Sequence, residues 1–291
     1  MITASIVTYN HTLDDIEQAL MSLLQSGVSH IFIIDHSDKG SKEFETELTA
    51  FGKDIVSKNP EISHKCRTGR LTVTFHKHEN IGYGGGHNVA IRMAANARSR
   101  YHIVVNPDVS FEKDVISRMR DYMDCHEDVG QMMPKVLFPD GTIQRLCKLL
   151  PTPFDMISRL CLPPFINGRR NDRYELRKSG YDRVMNVPYL SGCFMFFRMS
   201  ALEKVGLFDE NFFMYAEDID MTRRMHRHYK TLFFPHVTIY HKFSRASRHS
   251  IKLLYIHIKN IFMYFNKYGW LHDEERTAVN KTTIEECEYC S

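Results

Sequence analysis

The sequence predicts an α/β fold built on a mostly parallel sheet, and three observations carry that expectation. Short continuous apolar runs recur, each suited to a strand covered on both faces. Segments with apolar residues at helical spacing alternate with them. Each run ends in a polar loop, and in a doubly wound sheet such loops converge at the carboxyl ends of the strands, where ligands bind.

Ala4 to Val7 is the first run; Tyr9-Asn10-His11 turns the chain, and Leu13, Ile16, Leu20, Leu23 and Leu24 then recur as on a helix. Ile31 to Ile34 is a second strand, ending in Asp35-His36-Ser37-Asp38, and Leu71 to Phe75 is a third. A glycine-rich turn precedes a helix over Asn88 to Ala97, and His102 to Val105 is a fourth strand that stops at Asn106-Pro107-Asp108. These elements form a unit of about 110 residues. Its four loops, Thr8 to Asn10, Asp35 to Asp38, Asn80 to Asn88 and Asn106 to Asp108, should share one rim.

Downstream, Leu149 to Pro164 is apolar and broken by proline, and the charged stretch Asn167 to Arg183 reads as a surface loop or lid. Val187 to Phe197 reads as a strand, with Ser200 capping a short helix from Ala201 to Val205. Asn211 to Tyr215 leads into Glu217, Asp218 and Asp220, then a basic helix through Arg223, Arg224 and Arg227. Thr231 to Phe234 and Val237 to Tyr240 read as two further strands.

Of 291 residues, 43% are hydrophobic and 25% charged, which excludes disorder, collagen and coiled coil and leaves one or two globular domains. A net charge of +3 is far from that of a dedicated nucleic-acid binder, so no nucleic-acid partner is expected. Seven cysteines, an odd number without framework spacing, favour a reducing compartment and a cytoplasmic location. Cys287 and Cys290 supply only half of a structural zinc site. The N-terminus reads as a strand, not a secretory signal, and no run approaches the ~18 to 20 apolar residues of a membrane span.

Gly82-Tyr83-Gly84-Gly85-Gly86 fails the dinucleotide fingerprint, because its last required glycine is His87. Four glycines in five positions still favour close backbone approach to a ligand over a plain tight turn. Asp108, after a strand, suits either a divalent cation shared with a diphosphate or an ordinary turn. Glu217, Asp218 and Asp220 suit either a solvated helix start or a general base. His241 suits a metal ligand, with a structural histidine as the alternative. Asp35 could accept from a base or ribose, or simply form a turn.

Taken in order, Ile6-Val7-Thr8-Tyr9-Asn10, Ile33-Ile34-Asp35-His36-Ser37, Asn80 to Asn88, Asn106-Pro107-Asp108-Val109, Ser191-Gly192-Cys193-Phe194-Met195 and Gly206 to Asp220 resemble glycosyltransferase family 2, the inverting GT-A-fold enzymes, and its rhamnosyltransferase-like bacterial branch. The resemblance covers nearly the whole chain. It implies a Rossmann-like central sheet flanked by helices, with a glycosyltransferase domain over 1–243 (nucleotide-binding half about 1–110, acceptor half about 111–243) and a C-terminal helical extension over 244–291.

The resemblance also implies roles. Thr8, Tyr9, Asn10 and Asp35 would embrace the nucleoside, and Asn80, Gly82, Tyr83, Gly84, Asn88, Asn106 and Asp108 would continue the donor site. Asp108 would hold Mg²⁺ or Mn²⁺, its motif partner being replaced here by Asn106, and His241 would be a late metal ligand, with His236 the competing histidine. Asp218 would be the base, with Glu217 its neighbour. Ser191, Gly192 and Cys193 would lie on the acceptor side, with Cys193 as lining or core, since inverting displacement needs no covalent intermediate. The implied reaction transfers a sugar, such as rhamnose, from a dTDP- or UDP-sugar to a glycan or lipid-linked saccharide of the bacterial surface. A nucleotide-sugar-binding protein without catalysis, or a UDP-hexose transferase with another acceptor, is the alternative.

Ser244 to Trp270 mixes Arg245, Arg248, Lys252, Lys259 and Lys267 with Leu253, Leu254, Ile258, Ile261, Phe262 and Phe265. It reads either as an amphipathic helix making peripheral contact with the inner face of the membrane or as an ordinary packing helix.

Overall fold

The computed structural model describes residues 1–161, 168–242 and 250–289. Cys290, Asn167, Arg245 and Arg248 lie outside the described residues. In chain order the elements are β1 (Ile2–Thr8), α1 (Leu13–Gln25), β2 (His30–Asp35), α2 (Ser41–Lys58), α3 (Pro60–Arg67), β3 (Thr72–Lys77), α4 (Gly82–Asn96), β4 (Tyr101–Val105), β5 (Val109–Phe111), α5 (Val115–Cys125) and β6 (Val129–Leu137). There follow β7 (Cys147–Lys148), α6 (Pro153–Cys161), α7 (Gly168–Tyr174), β8 (Met185–Asn186), β9 (Tyr189–Leu190), β10 (Phe194–Arg198), α8 (Met199–Val205), α9 (Glu217–His226), β11 (Lys230–His241), α10 (Ile251–Tyr268) and α11 (Glu274–Tyr289).

The main sheet runs β3-β2-β1-β4-β10-β6-β11-β5, with β8 added on β11. The first four strands are parallel, so Thr8, Asp35 and the residues after Val105 end on one edge. Strand β10 then enters antiparallel between β4 and β6, and β11 runs parallel to β6 but antiparallel to β5. Helix layers on both sheet faces bury continuous apolar strands, which is why β1, β2 and β4 lack the alternation of a half-exposed strand. β3, at the edge, is only partly buried.

Several sequence-based expectations change. The glycine run is not a turn before a helix; it is the first turn of α4. Only Gly82 has a positive φ, +86°. Gly84, Gly85 and Gly86 are buried where a Cβ would press on Phe208, Ile81 and Val7 respectively, so helix-to-core packing explains three of the four glycines. Asn167 to Arg183 is no loop: α7 and a short 3-10 turn, Arg177–Ser179, occupy its described part. The expected strand Val187 to Phe197 breaks at Ser191-Gly192-Cys193 into β9 and β10. Helix α8 starts one residue before Ser200, with Arg198 at its N-cap. The two strands expected near Phe234 are one, β11, with an irregularity between Phe234 and Thr238.

The C-terminal helices pack as part of the body. Ile261, Tyr264 and Phe265 of α10 share a core with Leu150, Tyr189, Phe212, Ala216 and Ile219. Arg223, in the helix read as basic, is buried and pairs with Asp273 at 2.7 Å and Glu275 at 2.5 Å, while its guanidinium lies 4.0 Å over the Tyr268 ring. Removing one partner from so buried a charge would cost ~3 to 5 kcal/mol.

Candidate active site

Strand ends bring the expected residues to one edge, and hydrogen bonds decide which of them are tied into the fold there. Thr8 and Asp35 point inward. Asp35 is fully buried and accepts from the hydroxyls of Ser41 (2.5 Å), Ser37 (2.6 Å) and Thr8 (2.9 Å). Burial pushes its pKa up, but these hydroxyls outweigh burial and hold the carboxyl below its ordinary value. Asp35 therefore builds the loop, and Tyr9 and Asn10, both exposed, form its lip. Asn10 takes a positive φ of 55° and donates its backbone N–H to Ser37 Oγ at 2.7 Å.

Two residues assigned to the donor loop serve packing instead. Asn88 is buried, donating to the Phe208 carbonyl and Glu210 and accepting from the Phe208 N–H, all within 3.0 Å. Gly84 lies beneath Phe208. Asn80 accepts from the Gly82 N–H at 3.1 Å, and Tyr83 donates its N–H to the Phe213 carbonyl at 2.8 Å, which ties this loop to the segment before α9.

Asp108 and His241 are brought together by β5 and β11, whose register pairs Val109 with His241. Asp108 Oδ1 lies 3.2 Å from His241 Nε2. His236 is exposed within the irregularity of β11, with its ring against Phe234. A carboxylate oxygen and an imidazole nitrogen suit Mg²⁺ or Mn²⁺. Gln144 tests that fit. Its side-chain N–H donates to the His241 carbonyl at 2.6 Å, so its oxygen faces Nδ1 at 2.9 Å and accepts the proton there. The Nε2 lone pair then faces the carboxylate, an arrangement that a cation between them satisfies. Among the described residues no third His, Cys, Asp or Glu completes a cluster, so further ligands would come from a bound diphosphate and water.

Asp218 sits at the start of α9. Its Oδ2 accepts from the Gly192 N–H at 3.0 Å and the Tyr189 hydroxyl at 3.4 Å, and its Oδ1 from the Ile219 N–H at 2.9 Å. Burial raises its pKa, partly offset by the Gly192 N–H and by Lys148. Glu217 is pushed well above the carboxylate range by burial and then by Asp218, and its Oε2 has no hydrogen-bond partner. Environment thus distinguishes the pair: both carboxyls are raised by burial, but only Asp218 has the Gly192 and Ile219 N–H donors and a nearby ammonium that favour its ionised form. Asp220, the third acid, is fully buried by Arg224, Lys267 and Tyr268. Two non-glycine residues ahead of α9, Tyr215 (φ 69°) and Ala216 (φ 68°), are left-handed, at roughly 1 to 2 kcal/mol each.

Tyr83 joins the two halves, its hydroxyl lying 2.9 Å from Asn106 Oδ1 and 2.7 Å from the Gly192 carbonyl. Cys193 is buried and its thiol is pushed up to about 12 by burial, so it is no nucleophile. Ser191 is half-buried beside it.

No family model matches the chain. Over 209 residues it is 28% identical to the N-acetylglucosaminyl-diphospho-decaprenol L-rhamnosyltransferase of Mycobacterium tuberculosis, a match spanning 66% of each chain. Over 152 residues it is 28% identical to the low-salt glycan biosynthesis hexosyltransferase Agl10 of Haloferax volcanii, covering 51% of this chain and 44% of that one. Among solved structures, the mannosyltransferase PcManGT from Pyrobaculum calidifontis, in complex with GDP-Man and Mn²⁺, superimposes with a TM-score of 0.59 at 14% identity, covering 98% of this chain and 69% of that one. GalNAc-T7 with UDP, GalNAc and Mn²⁺ gives a TM-score of 0.57 at 12% identity, covering 100% and 55%. The fold is that of the GT-A glycosyltransferases.

Within this GT-A fold, three polar residues that no sequence motif marks stand beside the candidate site. Gln144 orients His241; Tyr189 reaches Asp218; and Lys148, on β7 opposite Tyr189, holds its ammonium 4.9 Å from that ring. The fall of β7 and β9 into one small sheet brings the latter two together, and no local pattern announces it.

Proposed function

We propose that this chain is an inverting, metal-dependent glycosyltransferase that moves a sugar from a nucleoside-diphosphate sugar to a saccharide acceptor. The observation that carries the reading is the run of polar contacts from His241 through Asn106 and Tyr83 to Gly192, whose N–H donates to Asp218; it links a pair suited to a cation with a carboxylate suited to act as a base. Asp218 accepts the proton of the acceptor hydroxyl as that oxygen bonds to the anomeric carbon. The bond from that carbon to the diphosphate oxygen breaks on the opposite face, so the configuration inverts. Asp108 and His241 would hold Mg²⁺ or Mn²⁺, which supplies positive charge to the departing diphosphate. Tyr9 and Asn10, at the lip, receive the nucleoside.

Rhamnose, carried as dTDP-rhamnose, and a lipid-diphosphate-linked N-acetylglucosamine are the donor and acceptor we propose; the sugar and the acceptor follow the name of the mycobacterial relative. Such an acceptor lies at a membrane. Among the described residues no helix is long and apolar enough to cross one. Helix α10 does expose Ile251, Tyr255, Ile258 and Phe262 with Lys252 and Lys259, and α6 exposes Phe154 and Ile157, a composition that supports peripheral contact with an anionic surface.

Thermal denaturation with UDP, dTDP and GDP, each with and without Mn²⁺, tests the donor site. Mn²⁺-dependent stabilisation by dTDP, about 2.7 kcal/mol at a hundredfold excess over Kd, should disappear in Asp108→Asn. Absence of stabilisation by any nucleotide would overturn the reading.

A further inference from the structure

We propose that Asn260, on the inner face of the C-terminal helix α10, is a positioning residue that clamps the strained turn before α9 and so aims Asp218. The proposal rests on the reading of Asp218 as the base. Tyr215 and Ala216 are consecutive, lack the freedom of glycine and are both left-handed, so this turn does not hold itself. Asn260 is 1% exposed, and its side-chain nitrogen donates to the Met214 carbonyl at 2.6 Å and lies 3.4 Å from the Tyr215 carbonyl. His257, one turn earlier on α10, stacks its ring on Tyr215 at 4.4 Å and 24°. Backbone and side chain of the turn are thus gripped from one helix face.

Packing alone does not call for an amide here. The neighbours on this face, Ile261, Tyr264 and Phe265, are apolar or aromatic, and a buried amide is unfavourable unless its donors are used. Asn260 uses them on carbonyls of the turn that immediately precedes Glu217-Asp218. Further along, Tyr268 and Lys267 of the same helix hold Asp220 at 2.7 Å each. Helix α10 therefore holds α9 at two points, just ahead of its first turn and at Asp220 within it. Released, Ala216 returns to the right-handed region, the peptide ahead of Glu217 rotates, and Asp218 leaves the Gly192 N–H.

Asn260→Ala, alone and combined with Ala216→Gly, tests the clamp. Kinetic constants are measured alongside nucleotide affinity, thermal midpoint and hydrogen exchange of the Gly192 amide. The single variant should lose about 10- to 100-fold in kcat with nucleotide Kd within about twofold, because a small displacement of a reacting group suffices for such a loss. The Gly192 amide should exchange faster. Glycine at 216 adopts the left-handed turn without a Cβ, so the double variant should recover most of kcat. Unchanged kcat and exchange in the single variant, or a loss that Ala216→Gly does not recover, overturns the proposal. Asn260→Asp, which keeps the shape but removes both N–H donors, carries the same comparison where Asn260→Ala does not fold. Full turnover by Asp218→Asn would instead sink the base assignment, and Gly192 exchange would still report the clamp.

Discussion

The Tyr83 hydroxyl lies 2.7 Å from the Gly192 carbonyl, while the Gly192 N–H donates to Asp218 at 3.0 Å. One residue thus has both of its backbone polar groups engaged, one by Tyr83 of α4 and one by the carboxylate. Tyr83→Phe removes the oxygen that also reaches Asn106. We expect a drop in kcat of about tenfold and about 1 kcal/mol of lost stability, the net worth of one such hydrogen bond. Steady-state kinetics and urea denaturation check both, and wild-type kcat would show that the bridge is idle.

Lys148 sets where Asp218 ionises. Burial raises the Asp218 pKa and the nearby ammonium lowers it, and Asp218 must be ionised to act as the proposed base. Activity therefore falls as pH drops through that raised pKa. In Lys148→Met the opposing charge is gone, so the acid limb of the kcat/KM profile should move to higher pH, with the plateau kept. A limb that stays put, or moves down, contradicts this.

Gln144 should control metal affinity without touching the metal. Gln144→Leu frees the His241 ring to carry its proton on Nε2, and Mn²⁺ binding in the presence of nucleoside diphosphate should weaken by about 10- to 100-fold. Gln144→Glu, which still accepts from Nδ1, should lie between. Manganese electron paramagnetic resonance titrations measure this directly, and three equal affinities would dismiss the role.

Gly82 and Gly141 form a matched pair. Both have positive φ, +86° and +83°, but a Cβ on Gly82 would overlap the Phe213 carbonyl, whereas one on Gly141 meets open space. Gly141→Ala should cost only the left-handed penalty of ~1 kcal/mol. Gly82→Ala should cost more than ~2 kcal/mol and abolish nucleotide binding, since the loop must move. Urea midpoints of the two variants settle the order.

Acid should destabilise the fold through buried histidines. Burial lowers His36 to about 4, with His78 adding to it, and lowers His102 to about 3 and His226 to about 4. The unfolded chain takes up protons near pH 6.5 that the folded one refuses, so stability falls as pH drops below that value and continues to fall to about 4. Each residue contributes up to about 1.4 kcal/mol per pH unit. His36→Asn should flatten the slope of stability between pH 6.5 and 4.5 relative to wild type; an unaltered slope would show that His36 is not among the causes.

The parallel half of the fold was legible because its signals are local. Ile31 to Ile34 and His102 to Val105 are apolar over their own length, and the polar residues after them mark the rim. The insertion of β10 between β4 and β6 leaves no such mark, since an apolar run does not state its direction. The glycines of α4 were visible, but their reason was not: Phe208 and Val7, which occupy the space, are far away in sequence. The same distance hid the site's supports. Gln144 lies 97 residues from His241, and Asn260 lies 46 from the carbonyl it holds. Asp108, His241 and Asp218 could be named because each follows a recognisable stretch; the side chains that orient them do not.

The buried pairing of Arg223 with Asp273 and Glu275 orders events during synthesis. When synthesis has reached only residue 243, every described strand of the main sheet is present, and so are Asp108, His241 and Asp218. Yet Arg223 at that stage has neither of its acidic partners, and the turn at Tyr215 and Ala216 has no helix against it. A nascent chain can therefore shape the loops at the strand ends early, while Asp218 stays loose until α10 and α11 have emerged and packed. The order of Asp218 thus waits on helices made after every strand of the main sheet.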